Sequence, residues 1–223
     1  MKKFSIAQIC QALIFPDFCQ HCQQLGPMLC ESCYQLIEFF WQEDYKEFFS
    51  ENFDQVYFDQ VKIMAAFKPP LSSLIKALKY HHHSRAAKFL AQMLYFYVNI
   101  DYHNIDIISF VPMHPQKRKK RGYNQTQLIA QELSLWSQTP CLELLVKSKN
   151  TKPQAQITNK DKRLKRLKDS FAISTFYQNA LFKQNILLID DVITTGATSN
   201  NVSQILKNNG ANSITVLALA SKL

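Results

Sequence analysis

No apolar run in the sequence approaches the roughly 18 residues that a helix needs to cross a bilayer, so the chain is not expected to be an integral membrane protein. Its basic start, MKKFSIAQICQALIFP, also lacks the apolar core of a secretory signal, because Ser5, Gln8 and Gln11 interrupt it. The apolar residues of this stretch have helical spacing instead, which predicts a short docking helix. These absences together predict a cytoplasmic protein.

Acidic residues are scarce in the larger part of the chain. Residues 1–60 hold three basic and nine acidic residues, a net charge of −6, whereas the whole chain carries +9. Residues 61–223 therefore carry +15. This excess of positive charge indicates a polyanion or a phosphorylated ligand as partner, although a basic, well-solvated surface has the same composition.

The sequence also lacks internal repeats and a composition typical of disorder, since 47% of its 223 residues are hydrophobic and 12% are aromatic. Over residues 61–223, short apolar runs alternate with segments of helical spacing, which predicts an α/β layer fold with a mainly parallel sheet flanked by helices. The expected strands are 61–67, 105–111, 141–146, 171–174, 185–190 and 213–220. The expected helices are 71–80, 86–98, 123–136 and one that begins near Ser199. Residues 1–60 are expected to hold the docking helix, a cysteine module at 19–33 and a helical connecting segment.

Two C-x2-C pairs stand close together in the cysteine module, formed by Cys19, Cys22, Cys30 and Cys33. Two such pairs can supply four thiolates in a tetrahedron around one Zn²⁺, and four protein ligands leave no open position for catalysis. Two redox pairs or disulfides are the alternative, which a reducing compartment disfavours. Cys10 and Cys141 look like ordinary buried thiols.

The segment LLIDDVITTGAT, residues 187–198, places two carboxylates at the end of an apolar strand and follows them with hydroxyls and a glycine. In parallel sheets, ligands bind beyond the carboxyl ends of the strands. The loop amides and the start of the next helix can hold a phosphate, but Asp190 and Asp191 would repel it. A sugar phosphate removes the contradiction, because carboxylates accept hydrogen bonds from ribose hydroxyls.

Two basic runs are further candidates for binding an anion. Residues 111–125, VPMHPQKRKKRGYNQ, follow a predicted strand and hold five consecutive basic residues, although five charges in a row are also typical of an exposed loop. Residues 159–171 have no simple amphipathic stripe and are expected to form a basic, mobile lid. Charges of this kind neutralise the backbone of single-stranded nucleic acid. The histidine run at 81–83 is either a solvated connection or a metal site.

The segment LLIDDVITTGAT resembles the phosphoribosyl pyrophosphate (PRPP) signature of type I phosphoribosyltransferases. Together with LIFPDFCQHC, LIKALKY, VPMHPQKRKKRGYNQ and TKPQAQ, it makes nearly the whole chain similar to the ComF family (ComFC/GntX-like) of bacterial competence proteins. That resemblance implies a zinc ribbon followed by a phosphoribosyltransferase-like domain. It also implies natural transformation as the process, in which members are thought to handle incoming single-stranded DNA in the cytoplasm.

The resemblance also implies site residues, one set for each part of the ligand. PRPP, with Mg²⁺, is expected at Asp190, Asp191, Val192, Thr194, Thr195, Gly196, Ala197 and Thr198. Pyrophosphate or DNA is expected at a loop formed by His114, Lys117, Arg118, Lys119, Lys120, Arg121 and Gly122. The basic lid contributes Lys162, Arg163, Lys165, Arg166 and Lys168. Three of these, Lys162, Arg163 and Arg166, stand where the family often has Glu-Arg-x-x-Asn. Lys117 stands where an arginine is usual, and a lysine is the weaker bidentate donor.

Three functions follow from this resemblance. The first is a PRPP-binding protein, or one that binds a related sugar phosphate, which contacts single-stranded DNA during transformation. The alternative is an active phosphoribosyltransferase with an unknown acceptor, and no catalytic residue is assigned. The third is an interaction module that recruits competence proteins such as an inner-membrane DNA channel or a helicase. A transferase needs a hood over the incoming base. Only 25 residues follow Thr198, so residues 1–60, which already hold the cysteine module, would have to supply this hood. This weighs against a standard nucleobase as substrate but leaves an unusual acceptor open.

Overall fold

The structure is a computed structural model that describes residues 18–41, 44–80, 84–147, 171–177 and 181–222. Several sequence predictions fall outside these residues: the docking helix, Cys10, the histidine run at 81–83, and the lid residues Lys162, Arg163, Lys165, Arg166 and Lys168. They remain predictions.

Strand β1 is Gln60–Ala66, β2 is Ile107–Phe110, β3 is Leu145–Lys147, β4 is Phe171–Ile173, β5 is Asn185–Ile193 and β6 is Ser213–Ser221. Four of them form a sheet in the order β1-β6-β5-β2, and every neighbouring pair in it is parallel. The expected α/β class with a mainly parallel sheet is confirmed. Because all four strands are parallel, their carboxyl ends meet at one edge of the sheet.

Seven α-helices lie within the described residues. Helix α1 is Glu31–Tyr34, α2 is Lys46–Ser50, α3 is Leu71–Tyr80, α4 is Arg85–Tyr97, α5 is Pro115–Arg121, α6 is Gln125–Ser137 and α7 is Ala197–Asn208. None of these helices has the length and apolar character that a membrane span requires.

The helices cover both faces of the sheet. On one face, α3, α4 and α6 pack through residues such as Leu74 and Ile129 against Leu187 of β5. On the other face, α7 packs through Val202 against Leu188 of the same strand. Burial of one such side chain stabilises the fold by about 1.5–3 kcal/mol. Because both faces of the sheet are buried, the strands appear in the sequence as continuous apolar runs.

The connection between the cysteine module and the sheet is mostly not helical, so that part of the prediction is wrong. Among the described residues of this connection, which leave out 42 and 43, Lys46–Ser50 is the one α-helix. Before this helix the chain runs antiparallel to the edge strand β1, where Phe40 N–H donates to Met64 O at 2.9 Å and Tyr45 N–H donates to Val61 O at 2.8 Å. The unpaired backbone groups of an edge strand therefore take the hydrogen bonds that a helix would have made.

The two remaining strands form a small antiparallel sheet of β3 and β4. The expected strand at 141–146 is thus displaced, because Cys141 forms a single bridge with Ile108 of β2 and the regular pairing starts at Leu145. Cys141 is partly buried, and burial raises the pKa of its thiol to about 11. Lys147 is the last residue of β3.

The cysteine module belongs to the same core as the main sheet. Cys19, Leu29, Cys33 and Ile37 are buried in the cluster that also contains helices α3 and α4. The division of the chain at residue 60 stays a prediction.

Candidate functional site

The two acids of strand β5 lie near its carboxyl end and point to opposite faces of the sheet. Asp190 pairs in register with Ala218 of β6, and the strand continues to Ile193. Successive side chains of a strand alternate between its faces. Asp191 therefore faces the layer of α3 and α6, whereas Asp190 faces α7.

Asp191 is held by two donors from the helices packed on its face. Lys79 of α3 lies with its Nζ 2.8 Å from Asp191 Oδ2, and Gln125 Nε2 of α6 donates to the same oxygen. The Lys79 and Asp191 side chains are only 18% and 11% exposed. Such an ion pair is weakly screened by solvent, so it fixes the position of the acid.

Asp190 remains partly exposed and has a weaker set of donors. Its Oδ2 accepts a hydrogen bond from Ser199 Oγ at 3.3 Å, and its Oδ1 accepts one from the backbone N–H of Asp191 at 2.8 Å. Burial raises the pKa of Asp190 to about 7, and the charge of Asp191 adds to the rise against the opposing effect of these donors and Lys79. Two neighbouring carboxylates in such a place favour a hydrogen-bond donor or a cation as ligand.

The loop after β5 leads directly into helix α7, which begins at Ala197, two residues earlier than expected. Gly196 is its N-cap with φ 75°, and the N–H of Asn200 donates to Gly196 O at 2.8 Å. Thr194 and Thr195 are exposed, and Thr198 is partly buried. The first N–H groups of a helix have no acceptor within it, and together with the helix dipole they form an anion site.

Gly196 is required there for two reasons. Its positive φ favours glycine, and a Cβ added at this position would lie 3.3 Å from Cδ1 of Phe49. Phe49 belongs to α2 and is fully buried. The connecting segment thus supports the predicted phosphate loop from behind, which no sequence motif indicated.

The first basic run forms a helix rather than the expected loop. The His114 side chain accepts a hydrogen bond from Gln116 N–H at 3.2 Å, Pro115 starts helix α5, and Gly122, with φ 87°, ends it. A cap, a proline in the first turn and a glycine after the last turn are the signals of a short helix. His114 is nearly buried as this cap, and its assignment to the pyrophosphate or DNA loop stays a prediction.

Helix α5 places most of its charges at the surface. Lys117, Arg118, Lys119 and Lys120 are exposed, and Arg118 forms an ion pair with Glu143 at 3.7 Å. Arg121 is only partly exposed. Its Nη1 donates to Gln125 Oε1, so a single glutamine side chain connects the end of the basic helix with Asp191.

The structure adds three residues to the predicted site. Lys79 and Gln125 lie in the motifs LIKALKY and VPMHPQKRKKRGYNQ, but no spacing rule indicated that they meet at Asp191. Lys147 follows an expected strand and lies in no motif. Burial lowers its pKa, as does the nearby charge of Lys117, whereas Asp190 raises it, so these three groups are close enough to interact.

The four cysteines of the module lie together as predicted. Their Sγ atoms are all within 4.8 Å of one another. Cys22 Sγ and Cys30 Sγ are 3.7 Å apart, and the cysteines are free rather than joined in disulfides. A tetrahedron of thiolates around Zn²⁺, with bonds of about 2.3 Å, requires sulfur separations of about 3.8 Å. The cluster can therefore hold a metal ion such as zinc.

The electrostatics around Cys19 suit a metal ligand. Although burial raises the pKa of the Cys19 thiol, the backbone N–H groups of Cys30, Cys22 and His21 lower it to about 6. The Cys30 N–H lies 3.5 Å from Cys19 Sγ. A thiolate is the form that binds metals, and amides turned towards sulfur are a second shell that stabilises it.

A cleft of about 410 Å³ lies at the opposite, amino-terminal edge of the sheet. Gln60, Asn185 and Ser213, the first residues of β1, β5 and β6, line it. None of the predicted site residues lines this cleft. The cleft and the predicted site residues therefore lie at opposite edges of the sheet.

No family model matches the chain. Among curated proteins, Competence protein F of Haemophilus influenzae is 34% identical over 168 residues, which cover 73% of this chain and 72% of that protein. DNA utilization protein YhgH of Escherichia coli O157:H7 is 30% identical over 166 residues, covering 72% and 71%. Competence protein ComFC of Bacillus subtilis is 32% identical over 100 residues, covering 45% and 38%.

Solved structures similar to this chain include phosphoribosyltransferases. Adenine phosphoribosyltransferase from Thermoanaerobacter pseudethanolicus is 14% identical and aligns with a TM-score of 0.41 over 67% of this chain and 84% of that one. An allosteric regulatory enzyme of purine biosynthesis is 17% identical with a TM-score of 0.42, over 60% of this chain and 25% of that one.

Replacement of Lys79 by methionine is expected to destabilise the protein, because it leaves a largely buried carboxylate without its cation. We expect Lys79→Met to lower the free energy of unfolding by about 2 kcal/mol, less than for a fully buried pair. Urea denaturation at neutral pH measures the change. Lys76→Met on the exposed side of the same helix is the matched control, and equal stability of the two variants would show that the ion pair contributes nothing.

Proposed function

The chain belongs to the ComF family of competence proteins, and we propose that it binds PRPP with Mg²⁺ and handles incoming single-stranded DNA during natural transformation. One observation supports the proposal: an acid pair, the start of helix α7 and a basic helix all follow the carboxyl ends of strands in one parallel sheet. The proposed location is the cytoplasm, beside the channel or helicase that delivers the strand.

The 5′-phosphate of the sugar is proposed to bind at the start of helix α7. The amides of residues 197–199 and the helix dipole supply donors and positive potential there. The hydroxyls of Thr194 and Thr195 are exposed on the same loop. The positive φ of Gly196 lets the loop turn directly into α7 at this point.

The ribose hydroxyls are proposed to donate hydrogen bonds to Asp190. This acid is partly exposed and shares its face of the sheet with Ser199 and α7. Asp191 Oδ2 already accepts bonds from Lys79 and Gln125. Asp191 is thus proposed to position its neighbour and to add negative charge, and only its second oxygen is assigned to the ligand.

The pyrophosphate is proposed to face Lys117 and Lys147. Both cations interact electrostatically with one another, and Lys147 also interacts with Asp190. A pyrophosphate between two ammonium groups would relieve their mutual repulsion. Carboxylate and phosphate oxygens are the ligands that Mg²⁺ prefers, and the bound ion would neutralise charge between the acid pair and the pyrophosphate.

PRPP binding depends on the charge of Asp190 in this account. We expect Asp190→Asn to weaken the binding of PRPP with Mg²⁺ at least about tenfold, since charged hydrogen bonds contribute about 1.5–3 kcal/mol. Titration calorimetry measures the affinity. Asp54→Asn is the control, because Asp54 is an exposed acid elsewhere in the chain. Equal affinity of wild type and Asp190→Asn would reject the assignment.

Single-stranded DNA is proposed to follow the exposed side of helix α5. Lys119→Gln combined with Lys120→Gln is expected to make the slope of log K against log salt shallower by about 1.4, because each phosphate that is no longer neutralised reduces it by about 0.7. Fluorescence anisotropy at several salt concentrations measures the slope. Lys183→Gln, at the amino-terminal end of β5, is the control, and an unchanged slope in the double variant would remove α5 from the interface.

The metal of the cysteine cluster is proposed to be a structural Zn²⁺. Purified protein is expected to contain about one equivalent of zinc, and Cys22→Ser to lose it with a fall in melting temperature. Cys22 is exposed, so the change removes a ligand without disturbing the core. Elemental analysis and thermal unfolding provide the data, with Cys141→Ser as control; retention of zinc by Cys22→Ser would contradict the ligand set.

A further inference from the structure

An exposed tyrosine lies at the end of the basic helix. Tyr80, the last residue of α3, is 66% exposed. The guanidinium carbon of Arg121 lies 5.3 Å from the centre of its ring. An aromatic ring covered on one side by a guanidinium group is a cation–π pair, and both parts can stack on a further planar group.

Neighbouring contacts hold both members of this pair in place. The hydroxyl of Tyr123 donates to Leu78 O at 2.6 Å, and Lys79 is fixed by Asp191, so the chain on the N-terminal side of Tyr80 is anchored. Arg121 is in turn fixed by its bond to Gln125. A ligand that stacks here therefore meets a surface that is already ordered, which lowers the entropic cost of binding.

The charges beside the pair suit a polyanion. Arg121 continues the run of exposed basic residues of α5, and Lys117 precedes it by one turn, about 6 Å along the helix axis. Single-strand binding proteins combine these two features, a basic path for the phosphates and aromatic rings for the bases. A protein partner would not require a stacking surface beside four exposed cations.

We propose that Tyr80 and Arg121 form a stacking site for a base of single-stranded DNA whose phosphates follow helix α5. The inference rests on the proposed function, since it names the surface on which the strand is held. Stacking is tolerant of sequence, because every base has a flat face. The site would therefore accept DNA of any sequence, as the handling of incoming strands requires.

The chain contains a matched pair that serves as a control. Phe182 is 69% exposed, and Lys183 Nζ lies 5.4 Å from the centre of its ring. This pair precedes strand β5, at the opposite edge of the sheet from α5. It has the same exposure and a similar cation distance, but it does not adjoin the basic helix.

The test compares the binding of an oligothymidylate and of an abasic oligomer of equal length by fluorescence anisotropy. Tyr80→Ala is expected to weaken binding of the oligothymidylate about 10-fold, with an unchanged salt slope and no effect on the abasic oligomer. Phe182→Ala is expected to bind as wild type. Tyr80→Trp is expected to retain binding and to show fluorescence quenching by the oligothymidylate that exceeds quenching in wild type.

Three results with the alanine variants would overturn the inference: wild-type affinity of Tyr80→Ala for the oligothymidylate, a loss of affinity of Tyr80→Ala for the abasic oligomer as large as that for the oligothymidylate, and a loss of affinity in Phe182→Ala as large as that in Tyr80→Ala. Tyr80→Trp without additional quenching would also count against it, even if Tyr80→Ala failed to fold. Tighter, Tyr80-dependent binding of oligouridylate would assign the site to RNA instead. Failure of wild type to bind either nucleic acid would overturn the proposed function itself.

Discussion

Lys79 and Asp191 form the ion pair on which the geometry of the site depends. The pair joins α3 to the central strand β5, and Gln125 adds α6 to the same oxygen. Without the cation, two adjacent carboxylates at the end of a buried strand would repel one another, and the rise in the pKa of Asp190 shows how strongly burial and its neighbour already act on it. The ammonium group thus allows both acids to remain at the carboxyl edge.

A second constraint is that successive side chains of a strand point to opposite faces of the sheet. Because Asp190 and Asp191 point to opposite faces, each acid belongs to a different layer of helices. Asp190 faces the start of α7 and its loop residues, whereas Asp191 accepts a hydrogen bond from Gln125, whose other amide atom binds Arg121 at the end of the basic helix α5. One dipeptide therefore connects the proposed sugar-phosphate site with the proposed DNA surface. The connecting segment contributes as well, since Phe49 packs against Gly196.

Much of the sheet could be predicted from the sequence, because buried parallel strands are short apolar runs and Asp190 follows such a run directly. The cysteine cluster was equally accessible, since two C-x2-C pairs leave few other arrangements. The secondary structure around Lys117 was harder to predict. Five consecutive charges suggest a loop, but His114, Pro115 and Gly122 supply the cap, first turn and end of a helix. Local signals outweighed the overall charge of the segment.

The path of the connecting segment and the residues that surround the acid pair could not be predicted without the tertiary structure. The aromatic segment before β1 has residues typical of a helix, yet its backbone pairs with an edge strand, and sequence spacing gives no information on which edges are free. Lys79 and Gln125 are 46 residues apart in the sequence, and only the packing of α3 and α6 on one face brings them to Asp191. Lys147 belongs to the second, smaller sheet, and its interaction with Lys117 and Asp190 likewise depends on tertiary structure.

A crystal structure of the protein with PRPP and Mg²⁺ decides whether the acids and the loop form one site. We predict density for the 5′-phosphate at the amides of residues 197–199, ribose hydroxyls at Asp190 and pyrophosphate beside Lys117 and Lys147. Ligand density in the cleft at the amino-terminal edge of the sheet, with the carboxyl edge empty, would contradict this account.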